Sequence, residues 1–252
     1  MDYAKLLEQD PYSMDRREKT RVMTEGLLEL TEHHRSRCED YRRIVDGLGY
    51  DPKNIKDYYD IPMMPVRLFK ERELKSINDD QIFKTMTSSG TTGQQVSKIF
   101  LDEQTAANQQ LTLAKIVGSY TGKSRLPMII IDCPSVIRNR AMFSARGAGI
   151  LGFSIFGSRR IYALDDDMNL NIDGIREFLE KHKGERILLF GFTFMIWQYF
   201  YRELLKLSEP LDLSNAILIH GGGWKKLQNE AVSKEEFKAR LREVCGIPTV
   251  LD

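Results

Sequence analysis

The chain has 252 residues, 42% of them hydrophobic, enough to bury a sizeable core as one large domain or two smaller ones. Its 37 Lys and Arg against 36 Asp and Glu leave a formal net charge of +1, which removes any electrostatic argument for nucleic acid or an anionic membrane as partner. Cys38, Cys133 and Cys245 are widely spaced and form no C-x-x-C pair, so they point to a reducing compartment rather than to a disulfide framework.

The amino terminus, MDYAKLLEQD, carries acids where a leader peptide needs bases and an apolar core. No apolar run approaches the ~20 residues of a spanning helix. A soluble cytoplasmic protein is the expectation. Met23, Leu27, Leu30, His34, Cys38, Tyr41, Val45 and Leu48 step by threes and fours, which predicts one long amphipathic helix with His34 at the edge of its core face. Gly47, Gly49 and Asp51-Pro52 end it. In DIPMMPVRLFK, Pro62 and Pro65 exclude a helix interior and enforce an extended connector. The expected organisation is a helical segment and connector over 1–80, then an α/β region over 81–252.

Beyond residue 81, QIFKTMT and VSKIFLD read as short strands, and a helix over 103–118 follows Asp102 as cap. PMIIIDC is a β-branched run of the kind buried on both faces of a parallel sheet. RAMFSARGAGILGF reads as a small-residue helix able to pack closely. The alternation repeats: strand RRIYAL, helix 173–182, strand RILLFG, helix 193–207, strand AILIHG, and helix 233–244 with a Ser233/Glu236 capping box and Gly246 past its end. Strands alternating with helices of this length imply βαβ units and a largely parallel sheet flanked by helices.

Between the first two strands stand six consecutive small residues, Ser88, Ser89, Gly90, Thr91, Thr92 and Gly93. They read either as a surface turn or as a phosphate loop. No lysine follows Gly93 directly, so this is not a Walker A element. Glycine permits close backbone approach, consecutive amides can converge on an anion, the hydroxyls add donors, and Lys98 is a nearby countercharge.

TSSGTTG resembles the phosphate loop of the adenylate-forming superfamily, with one departure: Gln95 and Val96 stand where that pattern has proline and lysine. IPMMPVRLFKERELKSI, SSGTTGQQVSKIFLD, LLFGFTFMIWQ and IHGGGWKKL follow one another in the order seen in acyl-protein synthetases of the LuxE type. The resemblance covers about residues 55–252 and implies the amino-terminal region of an adenylate-forming fold. It also implies ATP-dependent activation of a fatty acid, or other carboxylic acid, to an acyl-adenylate. The acyl group then passes to a protein thiol, with an acyl reductase as protein partner. By the same resemblance, Ser88 to Gly93 and Lys98 hold the ATP phosphates. His220, Gly221, Gly222, Gly223 and Trp224 line the adenine side, and Phe192 and Thr193 border the acid pocket. On helical spacing alone, Phe194, Trp197 and Tyr201 are core, and the three glycines are a strand-to-helix turn.

DDDMNLNIDG fails as a calcium loop, because Leu170 and Arg176 stand where glycine and glutamate are required; it reads as a polar loop leading to a helix capped near Asp173. The superfamily's magnesium-placing glutamate, ribose aspartate and adenylation lysine have no match in this chain, and none of the three cysteines matches the family's acyl-carrying position. No catalytic residue and no metal ligand is therefore assigned, and the Mg2+ ligands are expected beyond residue 252. GIPTVLD reads as a strand just begun. The expectation is an amino-terminal part, inactive alone and prone to self-association through its open strand edge at Thr249–Asp252. Two readings compete: an aryl- or acyl-CoA ligase of the phenylacetate-CoA ligase kind, and a non-catalytic nucleotide-binding module that partners a reductase.

Overall fold

Asp15 opens the first long helix by accepting a hydrogen bond from the Glu18 amide at 2.8 Å. In the computed structural model, which describes residues 3–87, 96–138 and 145–252, a short α1 (Tyr3–Glu8) precedes α2 (Arg16–Arg37) and α3 (Glu39–Gly47). The single stripe expected from spacing is broken at Cys38, which is extended at φ −125° and ψ 106°. Met23, Leu30 and Leu48 are exposed, and the buried positions from α2 to α3 are Thr24, Gly26, Thr31, Cys38 and Val45. Both threonines can be buried because their hydroxyls bond back to the Thr20 and Leu27 carbonyls at 2.8 and 2.7 Å. His34 is half-buried, bonded through Nδ1 to the Ser76 hydroxyl at 2.7 Å and edge-on to Tyr41.

After the proline connector and α4 (Leu68–Glu71), β1 (Lys84–Thr87) pairs antiparallel with β2 (Lys98–Leu101). Asp102 caps α5 (Glu103–Thr121) through the Thr105 amide at 2.7 Å. The chain divides by compactness into units 1–119 and 120–252. β1 and β2, which the sequence reading counts with the α/β region, belong to the first unit because they form a separate two-stranded sheet.

The second unit is built on five parallel strands in the order β4-β3-β5-β6-β7, confirming the α/β expectation. They are β3 (Leu126–Ile131), β4 (Gly157–Tyr162), β5 (Ile187–Phe192), β6 (Ala216–Gly221) and β7 (Thr249–Leu251). α6 (Ser135–Arg138) and α7 (Ala145–Phe153) follow β3, and α8 (Ile172–Lys181) follows β4. The next helix is α-helical over Thr193–Met195 (α9), π-helical over Ile196–Tyr201 and α-helical again over Arg202–Leu204 (α10). α11 (Lys234–Cys245) joins β6 to β7, with Ser233 as its cap and Gly246 closing it in the left-handed conformation. The cap of α8 is Asn171, bonded to the Gly174 amide at 3.1 Å, and not Asp173, which lies inside the helix.

Side chains two apart on a strand share a face. Ile129, Ile131, Ile187, Leu189, Ala216 and Leu218 pack with Phe178, Phe200, Leu241 and their neighbours from the helices into the main core. Met128, Ile130, Leu188 and Phe190, on the opposite face, are just as buried, and Phe153 of α7 stacks on Phe190 at 4.3 Å. Burial on both faces is why these strands read as continuous apolar runs. β3 leads outward to β4, whereas β5 leads the other way to β6, so the carboxyl ends of β3 and β5 flank the topological switch point. In open α/β sheets that is where ligands bind.

Candidate functional site at the carboxyl ends of the strands

Parallel register brings the candidates together. Gly191 pairs with His220, and Phe192 pairs with Gly221, so Thr193 and Gly222 leave adjacent strands side by side. Thr193 is buried, and its hydroxyl lies 3.0 Å from the Gly222 carbonyl, 3.3 Å from the Gly221 carbonyl and 3.1 Å from His220 Nδ1. The hydroxyl has one proton. Donated to Gly222, it leaves Oγ1 to accept a proton from Nδ1, which puts the neutral ring's lone pair on Nε2. Burial lowers the His220 pKa, against the upward pull of the Asp252 carboxylate, so the neutral ring is the form favoured near pH 7.

A cavity of about 110 Å³ lies here, bordered by Thr193, His220, Gly222, Trp224, Phe237 and Lys238 among others. Lys234 and Lys238 are one turn apart on α11, and Lys234 pairs with Asp252 at 2.7 Å. That hydrogen bond holds the Asp252 carboxyl below its ordinary value and raises the lysine. Asp252 reaches the site because Leu251 pairs with Ile219, one residue before His220. The arrangement is an aromatic wall with a Lys234–Asp252 pair, the Lys238 cation and one imidazole lone pair, so it offers a flat ligand both stacking surface and polar contacts.

Phe192 occupies a gap made by two glycines. A Cβ on Gly149 would stand 2.8 Å from its Cζ, and one on Gly222 would stand 3.0 Å from its Cδ1. Gly222 also holds φ +76°, a conformation strained for any side chain. On the β3 side of the crevice, Asp132 is fully buried, accepts from the Cys133 amide at 2.8 Å and lies 3.0 Å from Arg146 Nε.

Thr193, His220, Gly222 and Trp224 therefore share one cavity, with Phe192 and Gly221 beside it. Gly223 is exposed, and Trp224 packs edge-on against Trp197 at 5.1 Å. Trp197 and Tyr201 are core, as their spacing predicts, whereas Phe194 is only partly buried. Lys98 opens β2 in the first unit, exposed and opposite Thr87. Ser88 to Gly93 lie outside the described residues. Sequence reasoning missed Ser233 as a lining residue, and with it Lys234, Phe237, Lys238 and Asp252. The available signal was two lysines four apart at the start of a helix that follows a glycine-rich strand end. All three cysteines are buried, and burial pushes the Cys245 thiol up to about 12, far from a reactive thiolate. Among the described residues, no helix is long and apolar enough to cross a membrane.

The family model for acyl-protein synthetases of the LuxE kind matches residues 2–252. A long-chain-fatty-acid–luciferin-component ligase of Vibrio harveyi is 23% identical over 224 residues, covering 84% of this chain and 55% of the relative. The ligase of the same description from Aliivibrio fischeri is 20% identical over 247 residues, covering 92% of this chain and 61% of the relative. That of Photorhabdus luminescens is 31% identical over 88 residues, covering 35% of this chain and 75% of the relative. The chain thus spans little more than half the length of the Vibrio harveyi and Aliivibrio fischeri relatives.

Proposed function

The chain belongs to the LuxE family of acyl-protein synthetases, and from that premise we propose that it binds ATP and a fatty acid in the activation of that acid for transfer to a protein thiol. The observation that carries the reading is the family match along 2–252, within which the convergent cavity residues fall. The relatives' description as long-chain-fatty-acid ligases supports the substrate class. Activation is in-line attack of the carboxylate on the α-phosphorus, with pyrophosphate leaving and an acyl-adenylate formed. Catalysis of that step rests on positioning and on stabilising developing charge. In this reading Ser88 to Gly93 and Lys98 serve the phosphates, His220, Gly221, Gly222, Gly223 and Trp224 the nucleotide, and Phe192 and Thr193 the acid. Lys234 and Lys238 add countercharge beside the nucleotide. An acyl reductase is the proposed partner that takes the product onward.

Magnesium would assist the phosphoryl charge when bound. Among the described residues, no group of three or more His, Cys, Asp or Glu could hold it. The reading is tested by ATP–pyrophosphate exchange with fatty acids of several lengths, on this chain and on a longer one as full as the curated relatives. Acid-dependent exchange in the longer chain is the expected result. Exchange in neither, with both folded, would remove the activity. Faster product formation with CoA than with a protein thiol would move the family member toward the CoA ligases.

Phe192 gives a second test of the same reading. Phe192→Ala should alter selectivity among acids of different length more than it alters ATP affinity, since each methylene in an apolar pocket is worth about 1–3 kcal/mol. Lost ATP affinity with unchanged length preference would put Phe192 on the nucleotide side.

A further inference from the structure

The Asp132–Arg146 pair stands outside the cavity already described. Asp132 directly follows the interior strand β3 and is wholly buried, a place where a carboxylate is costly unless a charge meets it. Arg146 meets it from α7 with Nε 3.0 Å from Oδ2, yet neither atom makes an aligned hydrogen bond. Buried polar atoms without one are rare in native interiors. Among the described residues, Arg146 Nη1 donates to the Met195 thioether at 3.4 Å, a weak acceptor. About 29% of the arginine side chain remains exposed, so the guanidinium is anchored at one edge and open at another. One turn along α7, on the same helix face, Gly149 lies against the Phe192 ring. Arg146 is therefore set beside Phe192, at the switch point between β3 and β5.

We propose that Arg146 binds the carboxylate of the acid substrate, and that Asp132 is a positioning residue that holds the guanidinium for it. The inference rests on the acid-activating reading above. A guanidinium matches a carboxylate in plane and in spacing, donating two parallel N–H bonds. The surroundings favour a carboxylate with an aliphatic tail over a phosphate. Phe192, Phe194 and Met195 are apolar neighbours on one side of the crevice, and Lys234 and Lys238, the groups better suited to phosphate, line the separate cavity at β6 and β7.

Equilibrium binding of decanoate and of 1-decanol, the uncharged analogue of equal length, tests this on the whole chain. Arg146→Met should weaken decanoate about 10- to 100-fold, the value of a charged hydrogen bond, and leave decanol within about twofold. Because that variant strands a buried carboxylate, the neutral pair Asp132→Asn with Arg146→Met is measured beside it, and it should show the same loss of acid-over-alcohol preference. Arg146→Lys should retain part of the preference, having charge without the fork. Equal losses for acid and alcohol would mean a packing role and overturn the proposal. So would unchanged decanoate affinity, or a preference regained in the neutral pair. A fall in ATP affinity with decanoate unaffected would give Arg146 to a phosphate instead. If the unmodified chain binds ATP but neither decanoate nor decanol, the fatty-acid reading itself fails, and this inference with it.

Discussion

Arg146→Met is expected to destabilise the fold by about 3–5 kcal/mol at neutral pH, the usual consequence of removing one partner from a buried ion pair. Asp132 is fully buried, and among the described residues its remaining support comes from Cys133, whose amide donates to it at 2.8 Å. Burial raises its carboxyl pKa, opposed by that amide and by the Arg146 charge. Without the arginine the folded-state value rises further. The sign of the pH dependence follows. A carboxyl whose folded value lies above its unfolded one is stabilising below the ordinary carboxylate range and loses that contribution as pH rises through the folded value. The deficit of Arg146→Met should therefore shrink as the solution is acidified from neutrality toward pH about 4, and most of it should return when Asp132→Asn is added. Chemical denaturation at several pH values, with equal slopes, measures this. A deficit that is independent of pH and unrelieved in the double variant would show that Arg146 matters for its packing alone.

Phe200→Ala is expected to cost about 3–5 kcal/mol, the range for emptying an aromatic site in a close-packed core. Phe200 is completely buried on the π-helical stretch Ile196–Tyr201, within the cluster formed with Ile129, Leu189 and Leu241. The same helix starts at Thr193, whose hydroxyl joins β5 to β6 at the site. The cavity left by the ring should thus loosen the Thr193–His220 contact as well as the core. Thermal unfolding gives the first effect, and the histidine ring resonances in NMR give the second. A loss below about 1 kcal/mol would place Phe200 among side chains whose site collapses without a void.

Much of the architecture was legible because its causes are local. β-branched runs such as PMIII and AILI cannot be solvated and have the length of strands. Asp102, Ser233 and Gly246 sit where helix ends need a side-chain acceptor or a left-handed turn. The break at Cys38 was not legible, since the apolar spacing continues straight through it and two buried threonines hide their polarity in backbone bonds. Asn171 and Asp173 are both good caps, and only the backbone path decides between them.

The strand-end residues His220, Gly221, Gly222 and Phe192 were singled out by composition, by resemblance and by the ends of predicted strands, all of which are properties of short stretches. The sequence by itself determined the elements, their alternation and the membership of the family. It did not determine which strands are neighbours. That order decides which strand ends share a crevice, and so brings Asp252 to His220, Thr193 to Gly222 and Arg146 to Asp132, across separations of 14 to 32 residues. Such contacts depend on register and on the burial of charge between distant segments, quantities that no single stretch of chain contains and that only the packed tertiary structure supplies.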